Sequence, residues 1–227
     1  MNRLYSALKN FWTRDKSFNF LLIVLLCYLF IVIPFLTENI LSKIIFLFVY
    51  YLLLTSSLPF LLKQNRKLMA SVLVFLPFML LFIEIFSQAS WVPVITDFIV
   101  CAYCIVLGYI ILLRTFQKGP MNTARVQGGI IVYLLVGLIF CLLYHSLNLM
   151  VTTRSFNGLA GIHRKEFLYF SLCTLTTAGY GDIVPLSPVA RSLSNLESLI
   201  GMLYPAVLLA RLLSMEFFYK NREDFDS

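Results

Sequence analysis

Six apolar runs, each close to the length that crosses a bilayer, constrain this chain more than any other feature: 18–36, 44–62, 68–86, 94–113, 128–149 and 189–213. An α-helix rises about 1.5 Å per residue and the hydrocarbon core is about 30 Å thick, so roughly 20 apolar residues make one span. In lipid every backbone polar group must find a partner within the protein, and a helix provides one for each residue of such a run. The chain is 60% hydrophobic and only 13% charged, too polar-poor to cover a soluble globule of 227 residues. The expectation is an all-α membrane protein with six transmembrane helices. The run 18–36 follows a basic start, but it is long and no small-x-small cleavage site follows it, so it reads as the first span and not as a signal peptide.

The charges divide the chain further. A net charge of +7 raises nucleic acid as a partner, but the basic residues sit between the apolar runs and form no stripe, which excludes that reading. With the amino terminus inside, only Lys43, Arg154, Arg164, Lys165 and Arg191 of the 18 basic residues fall outside. That bias is the one the positive-inside rule requires, and it makes both termini cytoplasmic. Residues 1–17 read as an amphipathic lead-in on the inner leaflet, with Leu4, Leu8, Phe11 and Trp12 recurring at helical spacing. Residues 18–114 form a four-helix unit and 128–215 a second unit. Between them lies the basic linker 115–127 around Gly119-Pro120, and a charged tail, 216–227, ends the chain. The five cysteines all fall inside apolar or pore segments. Their odd number argues against a disulfide framework, and Cys101-x-x-Cys104 lacks the second pair that a metal site needs. No cofactor is expected.

The second unit carries the chemistry. Its last two apolar runs enclose Glu166–Thr176, an amphipathic segment too short to cross a bilayer, and then Thr177-Ala178-Gly179-Tyr180-Gly181-Asp182. Alternate glycines allow the unusual backbone needed if carbonyl oxygens are to face one side and replace the water shell of a cation. Thr177 adds a hydroxyl at the inner end, and Tyr180 can wedge outward to hold the diameter. The positive-inside orientation independently places this stretch toward the outer face.

From about Gly128 to Met215 the order of outer helix, short re-entrant helix, Thr-x-Gly-Tyr-Gly-Asp and inner helix resembles the pore module of tetrameric potassium channels. The phrase Tyr169–Thr177 is similar to that family's pore helix, and Ile183-Val184-Pro185 to its exit from the filter. The resemblance implies that the carbonyls of Thr177, Ala178, Gly179 and Tyr180, with Gly181 beyond them, hold potassium as the transported ion. It further implies that Thr176 and Asp182 support the filter, Asp182 by tying its outer end to the pore helix, and that Gly201 is a hinge in the inner helix. Ala178 departs from the family's valine or isoleucine, which keeps the carbonyl ligand but loosens the packing behind it.

One pore segment cannot enclose an axis, so a homotetramer in membrane lipid is expected, with no nucleic acid and no soluble ligand-binding domain. Met202, Pro205, Leu209 and Leu213 share one helical face and are candidates for the cavity wall and inner gate. Glu197, an acid inside the last run, needs a partner behind the filter: Tyr180, Thr174 or a neighbouring helix. Glu166 is either a helix-start acid or a gating group. Glu84, Asp97, His145 and His163 stand in or beside apolar runs with no role assigned by their spacing. The plan of four helices before a pore resembles voltage-gated channels, yet 94–113 carries no basic residue for a field to move. The function expected is a potassium-selective channel, not voltage-gated, in a plasma or inner membrane of bacterial type. The alternatives are a less selective cation channel or a subunit of a potassium uptake transporter. An enzyme is not expected, since the chain has no phosphate-binding glycine loop and only two histidines.

Overall fold

The computed structural model describes residues 14–35, 40–62, 67–87, 89, 91–117, 122–151, 155–161 and 163–226. The lead-in up to residue 13, the turn Thr37-Glu38-Asn39, the loop residues Lys63 and Arg66, Lys118-Gly119-Pro120 and Arg154 lie outside the described residues.

The described chain is mostly helical. Helix α1, Arg14–Cys27, runs on as a π-helical turn, Tyr28–Val32, closed by the Ile33 N–H on the Tyr28 carbonyl at 3.0 Å. It is followed by α2, Ile40–Leu62, α3, Lys67–Phe86, and α4, Trp91–Thr115. The second unit comprises α5, Thr123–Met150, the short strand β1, Phe156–Asn157, α6, Arg164–Leu175, the strand β2, Val184–Pro185, and α7, Pro188–Asp226. Among the described residues three helices are long and apolar enough to cross a membrane: Trp91–Thr115, Thr123–Met150 and Pro188–Ser214.

Two boundaries differ from the apolar runs. Helix α5 starts five residues before Gly128 because Asn122 caps it, its side-chain oxygen accepting the Arg125 N–H at 3.2 Å. Helix α7 continues past Met215 to Asp226, since neither glycine nor proline follows Pro205 to stop it.

Helix α5 is the shared wall of the molecule. Among the described residues the most extensive helix–helix contact is between α4 and α5, and α1 and α6 also pack on α5. Of the leading helices, α1 and α4 therefore rest directly on α5 of the second unit. Two aromatic clusters fill the core. Tyr28, Phe46 and Tyr50 gather between α1 and α2 with ring centroids 5.7, 5.8 and 6.4 Å apart. Phe156 meets Tyr144, Phe167 and Phe170 edge-to-face at 5.5, 5.5 and 5.3 Å. Edge-to-face contacts of this kind add about 0.5–1.5 kcal/mol each beyond the buried area. Through Phe156 the second cluster anchors β1, which pairs antiparallel with β2, Phe156 opposite Pro185 and Asn157 opposite Val184. The chain leaving the Thr-Ala-Gly-Tyr-Gly stretch is thereby held to a packed core.

Candidate functional site

Helix α6 ends at Thr176, whose N–H and hydroxyl both donate to the Leu172 carbonyl, at 3.0 and 2.7 Å. The next three amides also turn back on the helix end. Thr177 N–H donates to the Thr174 carbonyl at 3.0 Å, and Ala178 and Gly179 N–H to the Cys173 carbonyl at 2.9 and 3.3 Å. The backbone then alternates in hand, with positive φ at Thr177 (57°), Gly179 (56°) and Gly181 (81°). Alternation of this kind turns successive amides to one side and their carbonyls to the other. For a β-branched residue such as Thr177 the left-handed region costs about 1–2 kcal/mol. The amide bonds to α6 hold it there. A Cβ on Gly179 would meet nothing within 4 Å, so that glycine serves conformation and not space. Residues Thr176–Asp182 are all exposed, and among the described residues no backbone N–H donates to the carbonyls of Thr176–Tyr180. A run of carbonyl oxygens on exposed residues is thus left without backbone donors among the described residues.

Support comes from three directions. The Tyr180 ring lies outside, 74% exposed, and stacks on Tyr169 of α6 with centroids 6.3 Å apart. The Tyr169 hydroxyl also lies beside the carboxyl of Asp182. Glu197, on α7, is fully buried; it accepts from the Tyr144 hydroxyl of α5 at 2.6 Å and meets the Ser171 hydroxyl of α6 at 2.5 Å. Ser171 in turn lies 2.7 Å from the Gly137 carbonyl of α5. Of the partners considered for Glu197, neighbouring helices supply both, and neither Tyr180 nor Thr174 takes part. The Thr174 carbonyl receives the Ser198 hydroxyl at 3.4 Å.

Helix α7 passes through Gly201 and Pro205 without a break. A Cβ at Gly201 would overlap the Leu175 carbonyl, so this glycine lets the end of α6 rest directly on α7. The same carbonyl accepts from the Tyr133 hydroxyl at 3.1 Å. Met202, Leu209 and Leu213 are 62%, 60% and 57% exposed, and Pro205 is exposed beside them. Within its most apolar stretch α7 is only 17% buried, against 61% for α5. Arg191, at the start of α7, donates to the Pro185 carbonyl at 3.2 Å.

A second polar cluster lies on another side of α5. Arg164, the first residue of α6, donates from Nη1 and Nη2 to the two carboxylate oxygens of Glu84 on α3, at 2.7 and 3.0 Å. Its Nε donates to Asp97 Oδ1 on α4 at 2.8 Å. The other oxygen of Asp97 meets His145 Nδ1 at 2.5 Å and Ser146 Oγ at 3.2 Å. Sequence reading singled out Glu84, Asp97 and His145 without joining them, and took Arg164 only as an outer basic residue. The available signal was charge inside apolar runs, which demands a partner of opposite sign. Glu166 lies in the first turn of α6 and takes no part in this cluster. His163 occupies the cap position of α6 but makes no side-chain cap bond. Among the described residues no group of His, Cys, Asp and Glu is arranged to hold a metal ion, and Cys101 and Cys104 are buried free thiols.

Comparison with known proteins bears on this second unit. Residues 132–217 match the family model described as ion channel. The chain is 36% identical over 75 residues to the inward rectifier potassium channel Kirbac3.1 of Paramagnetospirillum magnetotacticum, an alignment covering 33% of this chain and 24% of that protein. No solved structure matches the chain. The matched residues take in most of α5, all of α6, the Thr-Ala-Gly-Tyr-Gly stretch and the apolar part of α7. The likeness is to an ion channel, it lies where the exposed carbonyl run is built, and α1 to α4 stand outside the family match.

Proposed function

We propose that the chain is one subunit of a homotetrameric potassium channel of six spans, with both termini cytoplasmic, conducting passively through the Thr177–Gly181 carbonyls. The observation that carries this reading is the backbone of Thr176–Gly181. The amides of Thr176–Gly179 are turned onto α6, the hand alternates, and among the described residues no backbone N–H donates to the carbonyls of Thr176–Tyr180. A single chain gives those oxygens nothing to ligate. Four copies around an axis give a dehydrated cation a full shell of oxygens, and the exposed face of α7, with Met202, Pro205, Leu209 and Leu213, then lines the path below. The carboxyl end of α6 points its negative dipole end at that path. The similarity of the pore region to a protein named as a potassium channel supports the choice of ion.

The test is flux from liposomes holding the purified protein, potassium against sodium, with Gly179→Asp as control. Potassium flux well above sodium, lost in the control, is expected. Flux that requires an energy source points instead to a transporter subunit. A second reading, a less selective cation channel, is favoured by Ala178, whose methyl leaves less bulk behind the filter than valine; equal fluxes of the two ions decide for it. Voltage is expected to do little. Each charge crossing the field is worth about 2.3 kcal/mol per 100 mV, and α4 carries its one basic residue, Arg114, in its last turn. Recordings from −100 to +100 mV, or about that range, are expected to show open probability changing by less than about twofold.

A further inference from the structure

Helix α6 is held along its length, and one of its holds lies outside the second unit. Its middle meets Glu197 of α7 through Ser171, and its end meets Tyr133 of α5 and Gly201 of α7. Its first residue, Arg164, is tied instead to Glu84 of α3 and Asp97 of α4. Among the described residues neither α3 nor α4 packs extensively on α6, so the guanidinium is what joins them to it. From Arg164 to Leu175 the helix has 12 residues, a hydrogen-bonded rod of about 18 Å. In its last turn the Cys173 and Thr174 carbonyls take the amides of Thr177, Ala178 and Gly179.

The two acids are not equivalent. Asp97 is 1% exposed, belongs to the helix that packs most extensively on α5, and is bonded to His145 and Ser146 of α5 as well. It is therefore fixed relative to the second unit. Helix α3, which carries Glu84, packs on α2 and α4 and, among the described residues, not extensively on the second unit. Pro77, seven residues before Glu84, removes a helical hydrogen bond, so the segment around it is where α3 bends most easily. The side chains of Glu84 and Arg164 are 17% and 21% exposed. Both border, with Tyr28 and Tyr50, a cavity of about 470 Å³ that leaves the pair room to shift. A guanidinium that grips both oxygens of a carboxylate follows its partner, because two parallel hydrogen bonds fix direction as well as distance.

We propose that Glu84 is a positioning residue for the proposed filter: the outer segment of α3, acting through the Glu84–Arg164 pair with Asp97 as the fixed point, sets how α6 presents Thr177–Gly179. This rests on the reading of Thr177–Gly181 as an ion path. It makes the leading helices act at the outer end of that path and not at the face of Met202 and Leu209, and among the described residues none of α1 to α4 packs extensively on α7. When the pair loosens, the amides of Thr177–Gly179 leave the end of α6 more often, and the carbonyl run loses the geometry that conduction needs.

The experiment reads hydrogen exchange at the amides of Thr177–Gly179 in the full chain, held in nanodiscs in potassium buffer, with single-channel recording in parallel. Glu84→Gln keeps the shape of the side chain and removes its charge. Exchange at these amides should quicken about fivefold, the factor for turning a charge-assisted hydrogen bond into a neutral one, while the amides of Ile131–Leu135 in α5 stay unchanged. Open probability should fall by a similar factor, with unitary conductance and the potassium-to-sodium ratio nearly unchanged. In an Arg164→Lys background, which keeps the charge and loses the fork, Glu84→Gln should add little. The proposal is overturned by exchange that is unchanged in Glu84→Gln, raised equally in α5, or raised by the same factor in both backgrounds. An open probability that does not move in a conducting channel overturns it too. Because exchange needs no ion flow, a wild type that carries no potassium defeats the channel reading and leaves the link from α3 to α6 to be decided by exchange alone.

Discussion

Adjacent residues of α5 serve two buried acidic clusters, and the clusters are satisfied by different chemistry. Tyr144 turns toward Glu197, which meets two hydroxyls and no cation. His145 and Ser146 turn toward Asp97, which together with Glu84 is held by the guanidinium of Arg164. The first cluster joins α5, α6 and α7 behind the exposed carbonyls; the second joins α3 and α4 to the first residue of α6. An acid held by hydroxyls loses one hydrogen bond when a partner is removed. An acid held by a buried cation is left as an uncompensated charge, a larger loss. The scaffold of the proposed filter and its link to the leading helices should therefore fail differently.

The largest effect is expected from Arg164→Met, which leaves Asp97 and Glu84 without their cation and should cost about 3–5 kcal/mol of stability. Thermal unfolding in detergent measures it. The triple variant with Glu84→Gln and Asp97→Asn should recover much of the loss, and a stable single variant would break the comparison. Gly201→Ala presses on the other side of the filter scaffold, because its methyl overlaps the Leu175 carbonyl; about 1–3 kcal/mol is expected, with potassium flux reduced. Tyr144→Phe removes one donor from Glu197. It should cost about 1–2 kcal/mol, yet lower the potassium-to-sodium flux ratio more than Glu84→Gln does. If Glu84→Gln moves that ratio more, the division of labour drawn here is wrong. The smallest change in stability, below about 1 kcal/mol, is expected for Ala178→Val, which adds bulk behind the filter while keeping the carbonyl. Its readout is a higher potassium-to-sodium ratio.

Much of this was readable along the chain, because the operative physics is local. Five of the six apolar runs lie wholly on helices, and the first does so up to Val32, since lipid demands that each residue bond within its own segment. The Thr-Ala-Gly-Tyr-Gly run, where φ turns positive at Thr177, Gly179 and Gly181, is five consecutive residues. Helix α5 begins before its apolar run because Asn122 caps it, a signal that hydropathy does not carry. Gly201 looked like a hinge from its place in the inner helix. Its contact with the Leu175 carbonyl depends on how two helices cross, and no local pattern encodes that.

By itself the sequence determined that the chain is helical and lipid-suited, where its charges fall, and which backbone run could present carbonyls to a cation. Each follows from composition or from neighbours in the chain. Only the tertiary structure decided that Glu197 is held by Tyr144 and Ser171, 53 and 26 residues away, and that Arg164 gathers Asp97 and Glu84 from 67 and 80 residues away. It also decided that the Tyr50 hydroxyl is buried beside a cavity with no hydrogen-bond partner among the described residues. A buried polar group requires a partner, but which one it finds is set by the packing of whole helices.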